Sequence, residues 1–127
     1  MSKGEGFSTT FLFDGAGKET AREVALNVAS PGYFTPSEAF AAIRAGATAL
    51  KLFPAEGASP AVLKAQLAVI PGHVPILAVG GIKPDNMKPW LDAGAAGFGL
   101  GGGLYLPGQG ADETLQKARA YVAGLTR

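Results

Sequence analysis

The sequence has no cysteine, a single histidine and almost no charge imbalance, with 11 Lys and Arg against 10 Asp and Glu. Without cysteine there is neither a disulfide framework nor thiolate chemistry, and His73 alone cannot build a histidine-based metal site. Zinc is not expected, nor is any other cofactor. A net charge of +1 supplies no field to hold a polyanion. No five-residue window is dominated by Lys or Arg, so neither nucleic acid nor a membrane surface is an expected partner. Small, singly charged ligands remain open. Apolar runs never approach the ~20 residues that span a bilayer, and the opening Met-Ser-Lys-Gly-Glu-Gly lacks the apolar region of a secretory signal. The chain reads as cytoplasmic.

What is present is 127 residues with 19 Gly, 9 Pro and 47% hydrophobic side chains, which is one domain's worth of chain. Residues 1–7 read as a solvated start, and residues 8–127 as a single α/β domain. Short β-type apolar runs at 9–13, 26–30, 47–53, 76–80 and 97–101 alternate with helical patterns. That order predicts strand-helix units around a parallel sheet. Most of the runs are continuously apolar, so both sheet faces are expected to be buried. About five units are countable. A closed eight-unit barrel needs ~200–250 residues, so the expectation is a partial barrel, completed by self-association or rearranged to a flavodoxin-like sheet.

The helix signals carry their own mechanism. Thr35-Pro36-Ser37-Glu38 supplies an N-cap, a proline at the first helical position and a glutamate placed to complete a capping box, with Gly46 as the left-handed stop. Ser59-Pro60 opens the next helix, with Val62, Leu63, Leu67 and Ile70 as its apolar stripe and Pro71-Gly72 as its end. Another runs from Pro84 to Gly94, where Pro89 must bend it or delay its start. The last spans 112–124, with Leu115, Ala118 and Val122 on one side. The echo of Ala45-Gly46-Ala47 in Ala93-Gly94-Ala95 marks two helix stops that run directly into strands.

Lys51 is the most informative oddity, set in Ala49-Leu50-Lys51-Leu52-Phe53. A lysine inside a buried strand must reach water, pair with a carboxylate or lose part of its charge to desolvation. In the last case its amine is a nucleophile that forms a Schiff base with a ketone. The bland alternative is a stem lining the strand with its head at the surface. Two glycine motifs bear on the choice. Val79-Gly80-Gly81-Ile82 and Gly99-Leu100-Gly101-Gly102-Gly103 follow two consecutive strand candidates, where backbone N–H groups can approach a phosphate. Each alone also fits an ordinary tight turn. Phe53 shares a strand face with Lys51 by the two-residue period. Glu56 and His73 read as solvent-facing and incidental, and Trp90 as packing.

Pro31-Gly32, Thr35 to Phe40, Ala45 to Glu56, Val79 to Ile82 and Gly99 to Tyr105 together resemble the bacterial 2-keto-3-deoxy-6-phosphogluconate and 2-keto-3-deoxy-6-phosphogalactonate aldolases. The resemblance covers residues 31–127 and lies closer to the galactonate branch. It implies a metal-independent class I aldolase that splits a phosphorylated six-carbon keto acid into pyruvate and glyceraldehyde 3-phosphate. By position it implies Lys51 as the imine-forming residue, Phe53 and Pro31 beside the substrate, and Gly80, Gly81, Gly101 and Gly102 around the phosphate. Gly102 stands where the family carries a phosphate-binding serine. The family's first strands have no counterpart, and with them go a proton-transferring glutamate and the arginine and threonine that hold the keto acid. General acid–base groups contribute ~10²–10⁴-fold, so weak or no turnover is expected.

Two other readings compete. A barrel fragment that folds and at most binds phosphate would expose strand edges and an apolar inner face, and so be expected to form homo-oligomers. A phosphoacceptor receiver domain has the same length and number of units. It would need an aspartate ending the third strand, where this sequence has Lys51 and Phe53.

Overall fold

A computed structural model of the chain describes residues 29–126. The expected strand at 9–13, the helical pattern at 18–25 and the solvated start at 1–7 lie outside the described residues. Within them runs β1 (Gly32–Tyr33), α1 (Pro36–Arg44), β2 (Leu50–Leu52), a 3-10 turn (Ala55–Gly57), α2 (Pro60–Leu67), β3 (Ile76–Val79), α3 (Met87–Ala93), β4 (Gly97–Gly99) and α4 (Ala111–Gly124). The four strands form one parallel sheet in the order β1-β2-β3-β4. Sequential order without crossing is the arrangement of consecutive barrel strands, so the fold is α/β and that of a partial barrel.

Local chemistry explains the helix ends. The Thr35 hydroxyl accepts from the Glu38 amide at 3.4 Å, while the Glu38 carboxylate takes the Thr35 amide at 2.8 Å and the Phe34 amide at 2.9 Å. These backbone N–H groups hold the Glu38 carboxyl below its ordinary range. Ser59 caps α2 through the Val62 amide, with Pro60 following. Gly94, at φ 106°, ends α3 in the left-handed region. With Pro89 at its third position, α3 begins at Met87 rather than at Pro84, the delay that this proline imposes.

The strand pattern separates two faces. Leu50, Leu52, Ile76 and Ala78 are all but fully buried beneath the helices, where they meet Ala39, Leu63, Met87 and Trp90. Lys51, Leu77, Val79, Gly97 and Gly99 point the other way and are only half-buried. The expectation of two buried faces therefore holds for one. A continuously apolar strand is compatible with burial on both sides but does not supply the second cover.

Of the strand expected over 26–30, residues 26–28 lie outside the described residues; the Ala29 carbonyl accepts the Thr48 amide at 3.1 Å, and the described strand is Gly32–Tyr33. Two helix faces are corrected. In α4 the contact face is Thr114, Lys117, Ala118, Tyr121 and Gly124; of the expected side Ala118 belongs to it, while Leu115 and Val122 are 46% and 64% exposed. Gly124 sets that rotation, because a Cβ there would lie 2.7 Å from the Pro84 carbonyl and 2.9 Å from the Met87 sulfur. Val62 in α2 is likewise exposed, while Leu63 and Ile70 of the same stripe are buried.

Candidate functional site

Register brings the lysine strand and the glycine turns to one end of the sheet. Gly32, Lys51, Leu77 and Gly97 form one row across all four strands, and Val79 and Gly99 form the next row toward the carboxyl ends. Phe53 continues the face two residues beyond Lys51, and its amide donates to the Tyr33 carbonyl at 3.2 Å. The Lys51 amide donates to the Pro31 carbonyl at 3.0 Å. Pro31 thus reaches this end through its main chain, while its ring is exposed.

The Lys51 side chain leans across Gly32. Its Cε stands 3.5 Å from where a Cβ at Gly32 would be, and its Nζ lies 5.5 Å from the centre of the Phe53 ring. The 3.5 Å is an ordinary van der Waals separation, so the lysine stem packs over Gly32 without requiring a glycine there. Sequence reasoning did not foresee this contact. Lys51 is half-buried, and among the described residues it makes no carboxylate ion pair.

Beyond Phe53 the strands end in a cavity of about 290 Å³. Phe53, Val79 and Gly99 form its floor, and Gly80, Gly81, Ile82 and Gly101 to Gly103 its rim, with Lys83 at the edge. Four of the expected residues, Gly80, Gly81, Gly101 and Gly102, share this cavity with Phe53. Lys51 and Pro31 are not among its lining residues. The site has two parts, an amine over β1 and β2 and a glycine-walled cavity over β3 and β4, and the Phe53 ring lies between them.

Backbone conformation explains the glycines. Gly80 and Gly81 adopt φ values of 110° and 67°, where other residues are strained. Both also lie against the turn after β2. A Cβ on Gly80 would stand 3.2 Å from the Ala55 amide nitrogen, and one on Gly81 would stand 2.8 Å from a Glu56 carboxylate oxygen. Glu56 is exposed, as expected, yet it packs on the glycine turn, which sequence reasoning did not foresee. Among the described residues, the amides of Gly81, Ile82, Gly101 and Gly102 meet no hydrogen-bond acceptor. Successive N–H groups of this kind around a concavity suit an anion.

Two polar side chains outside the cavity hold the Gly80 turn. Asn86 donates from Nδ2 to the Gly81 carbonyl and accepts the Lys83 amide at Oδ1, both at 2.9 Å. The Tyr121 hydroxyl of α4 donates to the Ile82 carbonyl at 2.8 Å. The signal for Asn86 was the three-residue spacing in Lys83-Pro84-Asp85-Asn86, typical of a side chain closing its own turn. Tyr121 offered only a hydroxyl in want of a partner. His73 lies in the exposed turn before β3, and Trp90 is buried in the core, as their sequence context implied.

The 2-dehydro-3-deoxy-6-phosphogalactonate aldolase of Escherichia coli (strain K12) is 49% identical over 92 residues, which are 72% of this chain and 45% of that protein. A probable 2-dehydro-3-deoxy-6-phosphogalactonate aldolase of Rhizobium meliloti (strain 1021) is 46% identical over 96 residues, 76% of this chain and 45% of that one. A solved structure described as native KDPGal superposes with a TM-score of 0.76 at 45% identity, covering 78% of this chain and 48% of the other. A cube-shaped, highly porous protein cage designed by fusing symmetric oligomeric domains matches with a TM-score of 0.75 at 46% identity, covering 76% of this chain and 36% of the cage chain. The chain spans about 45% of the length of the curated relatives it matches. A family model described as KDPG and KHG aldolase matches residues 15–118, beginning well before residue 31. Since that match takes in Lys51, Phe53 and every residue of the glycine-walled cavity, the chain belongs to the KDPG and KHG aldolase family.

Proposed function

We propose that the chain is a class I aldolase-like protein acting on a 2-keto-3-deoxy-6-phospho sugar acid, with pyruvate and glyceraldehyde 3-phosphate as products. The names of both curated relatives favour the galactonate form of the substrate. The observation that carries this reading is the common position of Lys51 and Phe53 on the half-buried sheet face, with the glycine cavity directly beyond Phe53. A keto acid on Lys51 and a phosphate in the cavity would occupy the two ends of one elongated substrate.

In this reading the Lys51 amine adds to the C2 carbonyl and water leaves, forming a protonated imine. The C3–C4 bond then breaks as the C4 hydroxyl loses its proton. The electron pair passes into the imine to give an enamine, and glyceraldehyde 3-phosphate departs. Protonation at C3 and addition of water release pyruvate and free the amine. Free amides of Gly81, Ile82, Gly101 and Gly102 would hold the phosphate without a change of protein charge. The glutamate, arginine and threonine implied by the family resemblance have no assigned counterpart, so turnover by this chain is weak or absent, while imine formation persists.

Self-association belongs to the same proposal. A second copy of the chain would cover the half-buried face of the described sheet. A second reading, a folded fragment that binds phosphate and performs no chemistry, is favoured by one observation: Lys51 does not line the glycine cavity. Incubation with pyruvate followed by borohydride separates the two. The aldolase reading expects a mass increase confined to the peptide carrying Lys51, and unmodified protein overturns it.

A further inference from the structure

We infer that Asn86 and Tyr121 are positioning residues for the anion, fixing two consecutive peptide planes so that the Ile82 amide faces the cavity. The inference rests on the phosphate role proposed for the glycine cavity and adds to it residues that line none of its catalytic parts. A trans peptide plane carries its C=O and N–H on opposite sides. The Gly81 carbonyl is drawn outward to Asn86 Nδ2, and Asn86 is not among the cavity residues, so the Ile82 N–H of the same plane is turned toward the cavity that Ile82 lines. The following plane is tied at both ends, its Ile82 carbonyl to the Tyr121 hydroxyl and its Lys83 N–H to Asn86 Oδ1. Neither plane can rotate without breaking a side-chain hydrogen bond.

The second glycine motif supplies an independent observation. A Cβ on Gly103 would collide with the Tyr121 hydroxyl. Gly103 thus gives Tyr121 the room to reach across to Ile82, from a helix 39 residues away in sequence. Gly101 and Gly102 present amides to the cavity, while Gly103 admits the clamp that orients the opposite wall. The Gly-Gly-Gly run thereby serves both rims.

The test uses the full chain, inorganic phosphate as the probe and three variants. Tyr121→Phe removes the donor to Ile82 and keeps the ring. Gly103→Ala displaces the hydroxyl without touching Tyr121. Asn86→Asp keeps an acceptor for the Lys83 amide but sets a carboxylate against the Gly81 carbonyl. In ¹H–¹⁵N spectra of the unmodified chain, phosphate is expected to shift the amides of Ile82, Gly101 and Gly102. In each variant the Ile82 shift is expected to be lost while the Gly101 and Gly102 shifts persist, with phosphate affinity reduced about tenfold, the worth of one charge-assisted hydrogen bond. A merely structural contact would lower all responses together. Variants that keep the Ile82 shift and bind phosphate within twofold of the unmodified chain overturn this inference and leave the phosphate site standing. Absence of any shift in the unmodified chain overturns both. Loss of the folded spectrum in all three variants also overturns it, since the residues would then only hold the fold.

Discussion

The ammonium of Lys51 lies 5.5 Å from the centre of the Phe53 ring, and that ring is also a wall of the glycine cavity. One aromatic side chain therefore touches both parts of the site. Their joining follows from strand geometry: positions 51 and 53 share a face, and β2 ends between them. A cation over an exposed ring gains about 0.5–1 kcal/mol, enough to bias where the amine rests and too little to fix it there. Phe53 is accordingly free to yield the amine to a bound carbonyl.

Lys51→Met is expected to abolish borohydride trapping of pyruvate while retaining the phosphate-induced amide shifts. Lys51 and the glycine turns belong to different strands, and methionine keeps most of the apolar stem against Gly32. Phe53→Ala should act on both, slowing trapping and weakening phosphate binding several-fold. Because Phe53 is 51% exposed, the loss of stability should stay within about 1 kcal/mol. Mass spectrometry of the trapped peptide and a phosphate titration read the two effects separately. A Phe53→Ala chain that changed only one of them would place the ring outside the shared role.

Gly102→Ser is expected to tighten phosphate binding. The family resemblance puts a serine at this position, and only Leu106 Cδ2, 3.3 Å from a Cβ there, stands in its way. Leu106 is half-exposed, so its side chain has room to turn aside. A hydroxyl added to a phosphate site that already has amides contributes about 1.5–3 kcal/mol, roughly a tenfold gain or more. Calorimetric titration with inorganic phosphate checks it. Unchanged affinity would mean that the Gly102 side of the cavity does not meet the anion.

Tyr33 ties β1 to α2. It is buried, its hydroxyl donates to Gln66 Oε1 at 2.9 Å, and Gln66 Nε2 donates to the Phe34 carbonyl at 2.8 Å. Burial pushes the Tyr33 hydroxyl from 10.0 up to about 12. Its stabilising contribution is complete below pH 10. Between pH 10 and 12 the unfolded chain releases this proton while the folded chain keeps it, so stability falls by about 2 kcal/mol across that window. Tyr33→Phe should lower stability by about 1–2 kcal/mol at neutral pH, because Gln66 loses its partner, and should flatten the alkaline slope. Urea midpoints from pH 8 to 12 for both chains test this. Equal slopes would remove Tyr33 as the source.

The sequence was most legible where a local rule had a local cause. The Thr35–Glu38 capping box, the Ser59 cap and the left-handed Gly94 all act within four residues, and each stands where its neighbours implied. Within the described residues the first strand pairs at Gly32–Tyr33, outside the apolar run at 26–30, because pairing follows the neighbouring strand's register and not the composition of the run. Apolar spacing in α4 identified a helix, but Leu115 and Val122 face away from the contact that Tyr121 and Gly124 make. Periodicity records which side chains share a face and not what covers that face. The same limit applies to the site. Lys51, Phe53 and the glycines announced themselves by residue type in context, while the pairing of Tyr121 with Ile82 depends on a meeting that no short-range pattern encodes.

Self-association gives the last prediction. The face that carries Lys51, Leu77 and Val79 is half-buried, whereas the opposite face is sealed by helices. Apolar side chains left on such a face favour association with a second copy. Static light scattering of the chain is expected to report twice the 12.8 kDa monomer mass. Charge placed on that face should split the pair, so Leu77→Glu is expected to shift the mass toward the monomer. The Leu115→Lys, Val122→Lys double variant, altered on the exposed side of α4, should keep the dimer. A monodisperse monomer from the unmodified chain would defeat the pairing and favour a sheet that covers its own inner face. Dissociation by the α4 variant alone would move the interface to that helix.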